Sequence, residues 1–340
     1  MGSRRALFAS LALVLVLGVA VVGVWLLRDD DSRFTAAASL APEETARITW
    51  VDWAAVRHEL DAADQPVTSL VRAAFEADLS SPSVLTGRAE VIDAEFGFSP
   101  RTLDWELMAQ STHGAVLLLG LDDPDAVDRV GTALSEIGFT RPADAVGLWR
   151  GGPTVIAQLD AGLSPMLQYA VLFRDRRLVM FGDRAQYVEE MRTKFLDGHT
   201  MTVGESLAAA GDPVAAVHLV GDLACTSLSM HHASADDQEA ARSLIAEAGR
   251  VNPLQGLVVA AQPGGGLRVA FEFESAEQAR ANADSRSRLA QGPAPGKGGA
   301  WPFTVEGASS SGVTARLDLT PTERYAFSAI SNGPVLFATC

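Results

Sequence analysis

One short segment of the sequence has the outline of a nucleophile site for hydrolysis. Residues 204–208, Gly-Glu-Ser-Leu-Ala, place Ser206 two residues after a glycine, as in a nucleophile elbow, but alanine stands where the elbow needs its second glycine. A serine nucleophile also needs a base and an orienting carboxylate, and no Asp and His follow it in a matching context. The sequence therefore favours a solvent-facing serine on a short helix, and we assign no catalytic residue.

Side chains that could bind a divalent metal ion are concentrated at two places. His231 and His232 precede Asp236 and Asp237, but adjacent residues of a regular element point in different directions, which disfavours a shared ion. Residues 122–125 contain three aspartates without the Gly and Glu that complete a calcium-binding loop. Aspartates at a helix start explain both clusters. We predict no metal site.

The remaining candidates do not indicate a cofactor. Gly296-Lys297-Gly298 has the glycine and lysine of a phosphate-binding loop, but glycine occupies the position of the Ser or Thr that contacts Mg²⁺. His218 lies in an apolar strand pattern, which is typical of a buried histidine. Three tryptophans could line a groove for a carbohydrate or aromatic ligand, although their apolar surroundings favour core positions: Trp105, Trp149 and Trp301.

The chain has two cysteines, Cys225 and Cys340. If they pair, they close a loop for which the chain-entropy model assigns roughly 4–5 kcal/mol of stabilisation, and a disulfide indicates an oxidising compartment. If they do not pair, one is a buried thiol and the other a thiol at the C-terminus. The sequence leaves both alternatives open.

Composition limits the class of partner. Because 48% of the 340 residues are apolar, the chain has enough material for a buried core. The 27 Lys and Arg against 42 Asp and Glu give a formal charge of −15, which argues against a surface that binds nucleic acid by its phosphates. We therefore expect no nucleic-acid partner.

The N-terminal region predicts attachment to a membrane. Residues 6–27 carry no charge, and a helix of this length spans roughly 33 Å, about the thickness of the bilayer hydrocarbon. Arg4 and Arg5 precede the run, which favours a cytoplasmic segment at residues 1–5 and an extracytoplasmic position for residues 28–340. The run is longer than the roughly 7–15 apolar residues of a cleaved signal peptide. We expect an uncleaved single-pass signal anchor in the cell membrane, with cleavage as the alternative.

The residues after the predicted anchor are polar and acidic. Residues 28–45 are small, polar and proline-containing, which predicts a flexible tether. Residues 29–340 hold 24 basic and 42 acidic side chains, a formal charge of −18. Because an anionic membrane surface repels such an ectodomain, we do not expect it to lie flat on lipid.

Residues 46–60 begin the predicted folded region. Residues 46–50 are typical of a strand, and residues 51–60 of a helix with Asp52 near its start. This segment, with its Ile-Thr-Trp-Val-Asp-Trp core, resembles the region just beyond the membrane anchor in uncharacterised single-pass envelope proteins of high-GC actinobacteria. The resemblance covers about fifteen residues. It implies an envelope location and no activity.

The pattern of elements predicts an α+β ectodomain, an antiparallel sheet with helices on one face. Two hairpins each lead into a helix and a further strand: residues 169–181 before a helix opened by Asp183, and residues 257–273 before a helix opened by Ser275. The two fit a duplicated β-β-α-β unit, with convergence on a common supersecondary scheme as the alternative.

A cluster of Gly, Asn and Pro over residues 249–253 predicts a division of the ectodomain. The first α+β unit, residues 46–250, has an α-rich start. The second unit, residues 251–340, is smaller.

These observations favour a non-enzymatic function in the cell envelope. The expected partners are the membrane, through residues 6–27, and an envelope protein, lipid or glycan bound by the ectodomain. The alternative is a cell-envelope hydrolase whose active site the sequence does not reveal.

Overall fold

The computed structural model describes residues 32–340 of the chain. The predicted cytoplasmic segment 1–5, the predicted signal anchor 6–27 and residues 28–31 of the predicted tether lie outside the described residues. From Ser32 onward, no helix combines the length and the apolar character that a membrane crossing requires.

Within residues 32–340, eleven strands form one antiparallel sheet. They are β1 (Arg47–Val51), β2 (Leu103–Gln110), β3 (Ala115–Leu121), β4 (Leu148–Arg150), β5 (Tyr169–Phe173), β6 (Leu178–Gly182), β7 (Ala215–Val220), β8 (Gly256–Ala261), β9 (Leu267–Glu272), β10 (Phe303–Ser311) and β11 (Thr314–Pro321). Their order across the sheet is β10-β11-β9-β8-β7-β1-β2-β3-β6-β5-β4. β3 and β8 are continuous apolar runs because both of their faces are covered, whereas β11 alternates polar and apolar residues. The predicted α+β fold with an antiparallel sheet is confirmed.

The helices of the described residues precede, connect and follow these strands. They are α1 (Arg33–Ala38), α2 (Trp53–Glu59), α3 (Val67–Glu76), α4 (Ala89–Glu95), α5 (Pro124–Glu136), α6 (Gly152–Leu159), α7 (Ala185–Leu196), α8 (Glu205–Ala210), α9 (Asp222–Thr226), α10 (Ala235–Ala248), α11 (Ala276–Gln291) and α12 (Ala326–Ser331). Side-chain caps fix several starts: Asp52, Asp123 and Ser275 accept hydrogen bonds from the backbone N–H three residues on.

The strand order is mirrored about the centre of the sheet. The first half, β1–β6, runs outward as β1-β2-β3-β6-β5, and the second half, β7–β11, runs outward in the other direction as β7-β8-β9-β11-β10. β1 and β7 pair at the centre, with Ile48 opposite His218. In each half an inner hairpin leads into a capped helix, α5 after β3 and α11 after β9, and an outer hairpin lies beyond it. The first half has one further strand, β4, which pairs with β5 at the sheet edge.

This arrangement corrects the predicted duplication. The counterpart of β8–β9–α11 is β2–β3–α5, and not the hairpin at residues 169–181. A hairpin followed by a helix occurs twice in the first half, as β2–β3–α5 and β5–β6–α7, so the local pattern matched the wrong copy. Asp183 is not a cap either, because α7 begins at Ala185 with Arg184 at the N-cap position.

The predicted division between residues 46–250 and 251–340 cuts through the second half. It separates β7 from β8, which are neighbouring strands of the same sheet, with Val217 opposite Val259. The loop that carries the glycine and proline punctuation is the end of a helical insertion between these two strands, and the sheet continues across it.

Helices cover both faces of the sheet, which corrects the prediction of one covered face. Face A carries Val51, Leu117 and Val217, and packs against helices that include α5 and α11. Face B carries Trp50 and Leu118, and packs against α1, α7 and α8. β-strand side chains alternate between faces, and the apolar strands of the sheet centre offer an apolar surface on each side.

Residues 33–38 form α1 and are not a flexible tether. Phe34 is fully buried, and its ring centre lies 5.5 Å from that of Trp50. The Arg33 guanidinium donates to both oxygens of Asp52, at 2.9 and 3.0 Å. The alanines that make this segment resemble a linker are the small residues that let α1 pack closely on face B.

Candidate functional site

In the structure a disulfide joins Cys225 and Cys340, with their Cα atoms 5.3 Å apart. It ties α9 to the last residue of the chain. Of the two alternatives for these cysteines, the structure shows the pair.

Beside the disulfide, the fully buried Arg286 holds the C-terminal segment in place. Its guanidinium donates to the carbonyl oxygens of Phe337, at 2.6 Å, Thr339, at 3.0 Å, and Asn252, at 2.7 Å. The same group lies over the ring of Phe271. Burial lowers the pKa of Arg286 to about 9. Its Nε donates to Asn282 Oδ1 at 3.2 Å, so each of its three nitrogens bonds an oxygen of the protein, and the role of Arg286 is structural.

Ser206 is buried, which corrects the prediction of a solvent-facing serine. Its hydroxyl donates to Glu272 Oε2 at 2.7 Å, and its backbone N–H donates to the same oxygen at 3.0 Å. Gly256 makes room for this contact, since a Cβ there would lie 2.8 Å from Ser206 Oγ. The first turn of α8 is thus fixed to β9, and the hydroxyl is engaged with a carboxylate.

His218 lies on β7 and makes no hydrogen bond with Ser206. Its side chain is buried, and Nδ1 has no partner among the described residues. Burial lowers the pKa of His218 to about 3, so the imidazole is neutral at physiological pH. The structure does not bring the two residues together as nucleophile and base.

The predicted metal candidates are engaged in local hydrogen bonds. His231 Nδ1 contacts the Ser229 hydroxyl, and His232 Nε2 lies 3.1 Å from the Thr226 carbonyl oxygen. Asp237 accepts from the backbone N–H of Gly296 at 2.9 Å. Across residues 32–340, no cluster of three or more His, Cys, Asp or Glu has the arrangement of a metal site.

The three tryptophans are core residues or nearly so. Trp105 stacks on Trp50, with ring centres 5.7 Å apart, and lies over Gly120, where a Cβ would come within 2.1 Å of the indole. Trp149 and Trp301 are buried, and Trp301 Nε1 donates to the Leu289 carbonyl oxygen at 3.2 Å.

A cleft of about 300 Å³ lies on face B between α8 and the outer hairpin of the second half. We call it the α8–β11 cleft. It is lined by one acidic side chain, two alanines, three hydroxyl side chains and one arginine: Glu205, Ala208, Ala209, Ser309, Ser311, Thr314 and Arg316. The alternation of β11 places Thr314 and Arg316 on the same face, opposite the apolar Ala315 and Leu317 on face A.

Two buried polar atoms of this cleft have no partner within the described part of the chain. They are the hydroxyl oxygen of Thr314, a residue that is only 5% exposed, and Nε of Arg316. Buried polar atoms are normally hydrogen-bonded, so each such atom calls for an explanation. Because both atoms lie beneath the cleft surface with almost no accessible area, a ligand in the cleft does not reach either of them in this arrangement.

The polar groups around the cleft are held in fixed positions. The Arg316 guanidinium contacts Asp318 at 3.0 Å, and Asp318 also accepts from Arg268 Nε at 2.9 Å. Glu205 Oε2 accepts from the backbone N–H of Val313 at 3.0 Å, at the β10–β11 turn where Gly312 has φ +51°. The cleft is therefore preformed.

Two larger grooves are open to solvent elsewhere. One, of about 790 Å³, lies between α3 and α4 beside the exposed Phe75, and the other, of about 740 Å³, lies beside α5 and Trp149. None of the residues that line them has a buried polar atom that lacks a partner among residues 32–340.

No family model and no curated protein sequence matches this chain. Among solved structures, it is similar to crystal form I of the protein TP0453, with a TM-score of 0.41 and 9% identity over 88% of this chain and 97% of that one. Crystal form III of TP0453 gives a TM-score of 0.36 and 10% identity over 86% and 98% of the two chains. No conclusion about function rests on this similarity.

The motifs for reactive residues do not point to the α8–β11 cleft. A signal was present in the sequence, since Thr314, Arg316 and Asp318 alternate with apolar residues and follow the serines of residues 309–311. Such an alternation predicts a polar sheet face. It does not reveal that α8, about a hundred residues earlier in the chain, forms the opposite wall.

Proposed function

We propose that this chain is an extracytoplasmic binding protein, held at the cell membrane by residues 6–27, whose ligand occupies the α8–β11 cleft. The observation that carries the binding function is the cleft itself, a cavity of about 300 Å³ in which a carboxylate, serine hydroxyls and a guanidinium meet. Hydrogen bonds and ion pairs within the protein hold two of these groups, Glu205 and Arg316, in place, so the cleft does not have to form around its ligand.

The extracytoplasmic location has two supports. The Cys225–Cys340 disulfide is typical of an oxidising compartment. The apolar run of residues 6–27, preceded by Arg4 and Arg5, favours export of residues 28–340.

Binding is favoured over hydrolysis by the state of the candidate nucleophile. Ser206 is buried and donates its hydroxyl to Glu272. A nucleophile must reach its substrate and a base, and Ser206 reaches neither in this arrangement.

Location is tested with reporters that are active only outside the cytoplasm, fused after residue 45 and after Cys340. Both fusions are expected to be active. Alkylation of freshly isolated protein should label the two cysteines only after reduction. A cytoplasmic signal from either fusion, or two free thiols, contradicts the proposed location.

Binding is tested by native mass spectrometry of the full-length protein, released from its own membranes in mild detergent. We expect a bound species in the wild type that is absent from the Arg316→Gln variant and retained by Thr320→Val, because the half-exposed Arg316 side chain lines the cleft. Thr320 is the matched control because it lies on β11 but outside the cleft lining, and its side chain is exposed. Identical spectra for all three proteins contradict the assignment of the cleft.

A further inference from the structure

The chain enters its folded part at one end of the central strands. The backbone N–H of Arg33, the first residue of α1, donates to Asp212 at 3.2 Å, and its guanidinium donates to Asp52 at 2.9 Å. Asp52 directly follows β1, and Asp212 lies three residues before β7. Because β1 and β7 are antiparallel, the end of β1 lies beside the start of β7. We call this the entry end of the sheet.

Only a short segment separates the entry end from the predicted signal anchor. The apolar run ends at Leu27, and five Cα–Cα steps join Leu27 to Ser32. Such a segment spans at most about 18 Å when fully extended. The headgroup layer takes up roughly 5–8 Å of this distance. With residues 6–27 in the membrane, as proposed above, the entry end is held close to the lipid headgroups.

Two aromatic rings lie at the same end of the sheet. Tyr325 and the β8–β9 turn line a cavity of about 200 Å³ together with Ala261, the last residue of β8. Ala261 pairs with Ala215 at the start of β7, so this cavity belongs to the entry end. The ring of Phe75, on α3, lies 5.5 Å from that of Tyr325. We call the two rings the aromatic pair.

The aromatic pair is exposed, although the fold does not need it at the surface. Phe75 is 59% exposed and Tyr325 is 37% exposed. α3 packs on the core through Val67, Leu70 and Ala74, and Phe75 lies outside this buried set. Aromatic side chains with a polar end, such as tyrosine, are enriched where the bilayer hydrocarbon meets water. The exposure of the pair therefore fits a contact with lipid.

The area of the aromatic pair favours an attached surface over a protein partner. An aromatic side chain buries about 150–250 Å², whereas a stable protein interface buries roughly 1,200–2,000 Å². A surface that the chain itself holds nearby needs far less contact, because attachment makes the encounter intramolecular. A second copy is disfavoured further, since residues 29–340 of each copy carry a formal charge of −18.

The charges around the aromatic pair favour an apolar contact. The two grooves beside it are lined by three arginines and five carboxylates. Anionic lipid does not attract such a surface, whereas zwitterionic lipid does not repel it. We propose that the entry end faces the bilayer and that Phe75 and Tyr325 insert their rings among the headgroups of zwitterionic lipid. This inference rests on the proposed signal anchor and adds a second contact with the membrane.

The test is photo-crosslinking of full-length protein in phosphatidylcholine vesicles. Benzoylphenylalanine replaces Phe75, Tyr325 or His113 in three separate variants. His113 is the matched control: it is exposed in the β2–β3 turn, which follows Gln110, and Gln110 pairs with Arg47 at the opposite end of β1. We expect lipid adducts at positions 75 and 325 and none at position 113. A thermal melt of each variant should match that of the wild type, because all three side chains reach the surface.

The yield of lipid adducts should be the same at low and high salt, because salt screens charge attraction and leaves an apolar contact intact. The proposal is wrong if either ring position gives no lipid adduct or crosslinks to protein instead. It is also wrong if position 113 gives as much lipid adduct, or if the yield falls with salt. An alkaline wash of the vesicles tests the anchor separately. Release of the protein contradicts the anchor and this inference together, whereas retention without lipid adducts contradicts this inference alone.

Discussion

The two halves of the sheet share one strand plan and differ in what covers the outer hairpin on face B. In the first half, α7 lies over Leu178 and Met180 of β6, which are buried. In the second half, the corresponding strand β11 presents Thr314, Arg316 and Asp318 instead. The helix beside that surface is α8, which lies at its inner side. The comparison shows how a cleft can arise in a repeated strand plan when one helix layer is left short.

The halves also differ in the charge that each one buries. Glu106 of β2 is buried in the first half and accepts from Trp53 Nε1 at 3.0 Å, Ser83 Oγ at 2.6 Å and Val84 N at 2.7 Å. Arg286 of α11 is buried in the second half, at the same distance from its N-cap Ser275 as Leu134 is from Asp123 in α5. Glu106 holds the loop at Ser83 and Val84 by accepting hydrogen bonds from it. Arg286 holds the C-terminal segment by donating hydrogen bonds to its carbonyl oxygens.

The largest expected effect is that of removing the Cys225–Cys340 disulfide, which joins only elements of the second half. The double variant Cys225→Ser, Cys340→Ser should lower the free energy of unfolding by up to about 4–5 kcal/mol, because it frees a loop with a sequence separation of 115. Denaturant unfolding measures the loss. Hydrogen exchange should accelerate in α9 and the C-terminal segment more than in β3. An unchanged unfolding midpoint contradicts the prediction.

Arg286→Ala should cost about 3–5 kcal/mol, because it truncates a fully buried side chain and leaves the carbonyl oxygens of Asn252, Phe337 and Thr339 without this donor. Leu134→Ala, at the matching position of α5, removes only apolar contacts and should cost about 2–5 kcal/mol. Because the two costs overlap, the variants are distinguished by the amide hydrogen exchange of residues 336–339. This exchange should accelerate in Arg286→Ala and not in Leu134→Ala. Equal exchange in both variants would show that Arg286 does not hold the C-terminus.

Asp78→Ala should cost about 1–2 kcal/mol. Asp78 lies in the first half and accepts a hydrogen bond from the Ser328 N–H at 3.0 Å, so it caps α12, the helix that follows β11 of the second half. The N-cap residue of that helix, Tyr325, makes no side-chain cap of its own. Asp123→Ala, which removes the cap of α5 within one half, is the control. Amide exchange in α12 should rise in Asp78→Ala only; a rise in both variants means that the cap does not act between the halves.

The smallest expected effect is a pH dependence from Glu106. Burial raises the pKa of Glu106 above its usual 4.5, so the folded state holds this proton more tightly than the unfolded state. The contribution of Glu106 to stability is therefore greatest below its usual pKa and falls as the pH rises through the raised value.

The variant Glu106→Gln cannot ionise, so its free energy of unfolding should depend less on pH above 4.5 than that of the wild type. Asp52 and Asp78, whose pKa values burial also raises, are present in both proteins and cancel in the difference. Parallel pH profiles for the two proteins contradict this prediction.

Local patterns of the sequence predicted individual elements well. The hairpin predicted over residues 257–273 is β8–β9, and Ser275 caps the helix after it. Apolar runs bounded by turn residues carry this information within a few positions. The same patterns failed where distant contacts decide: the small residues of α1 look like a linker until Phe34 meets Trp50.

The candidate site was less predictable than the fold for the same reason. Alternation along β11 gives one wall of the cleft, but the position of α8 depends on the Ser206–Glu272 contact between residues far apart in the chain. The pattern at residues 204–208 predicts a solvent-facing serine, whereas in the structure Ser206 is buried and fastens α8 beside the cleft. Spacing alone does not separate an exposed serine from one that holds a helix in place.

The pairing of β1 with β7 has a consequence for the order in which the chain is made. β1 is the first strand of the sheet to be synthesised, and one of its edges has no partner until β7 appears some 160 residues later. An unpaired strand edge is a template for aggregation during this interval. A chaperone that covered β1 would remove this template until the second half has been translated.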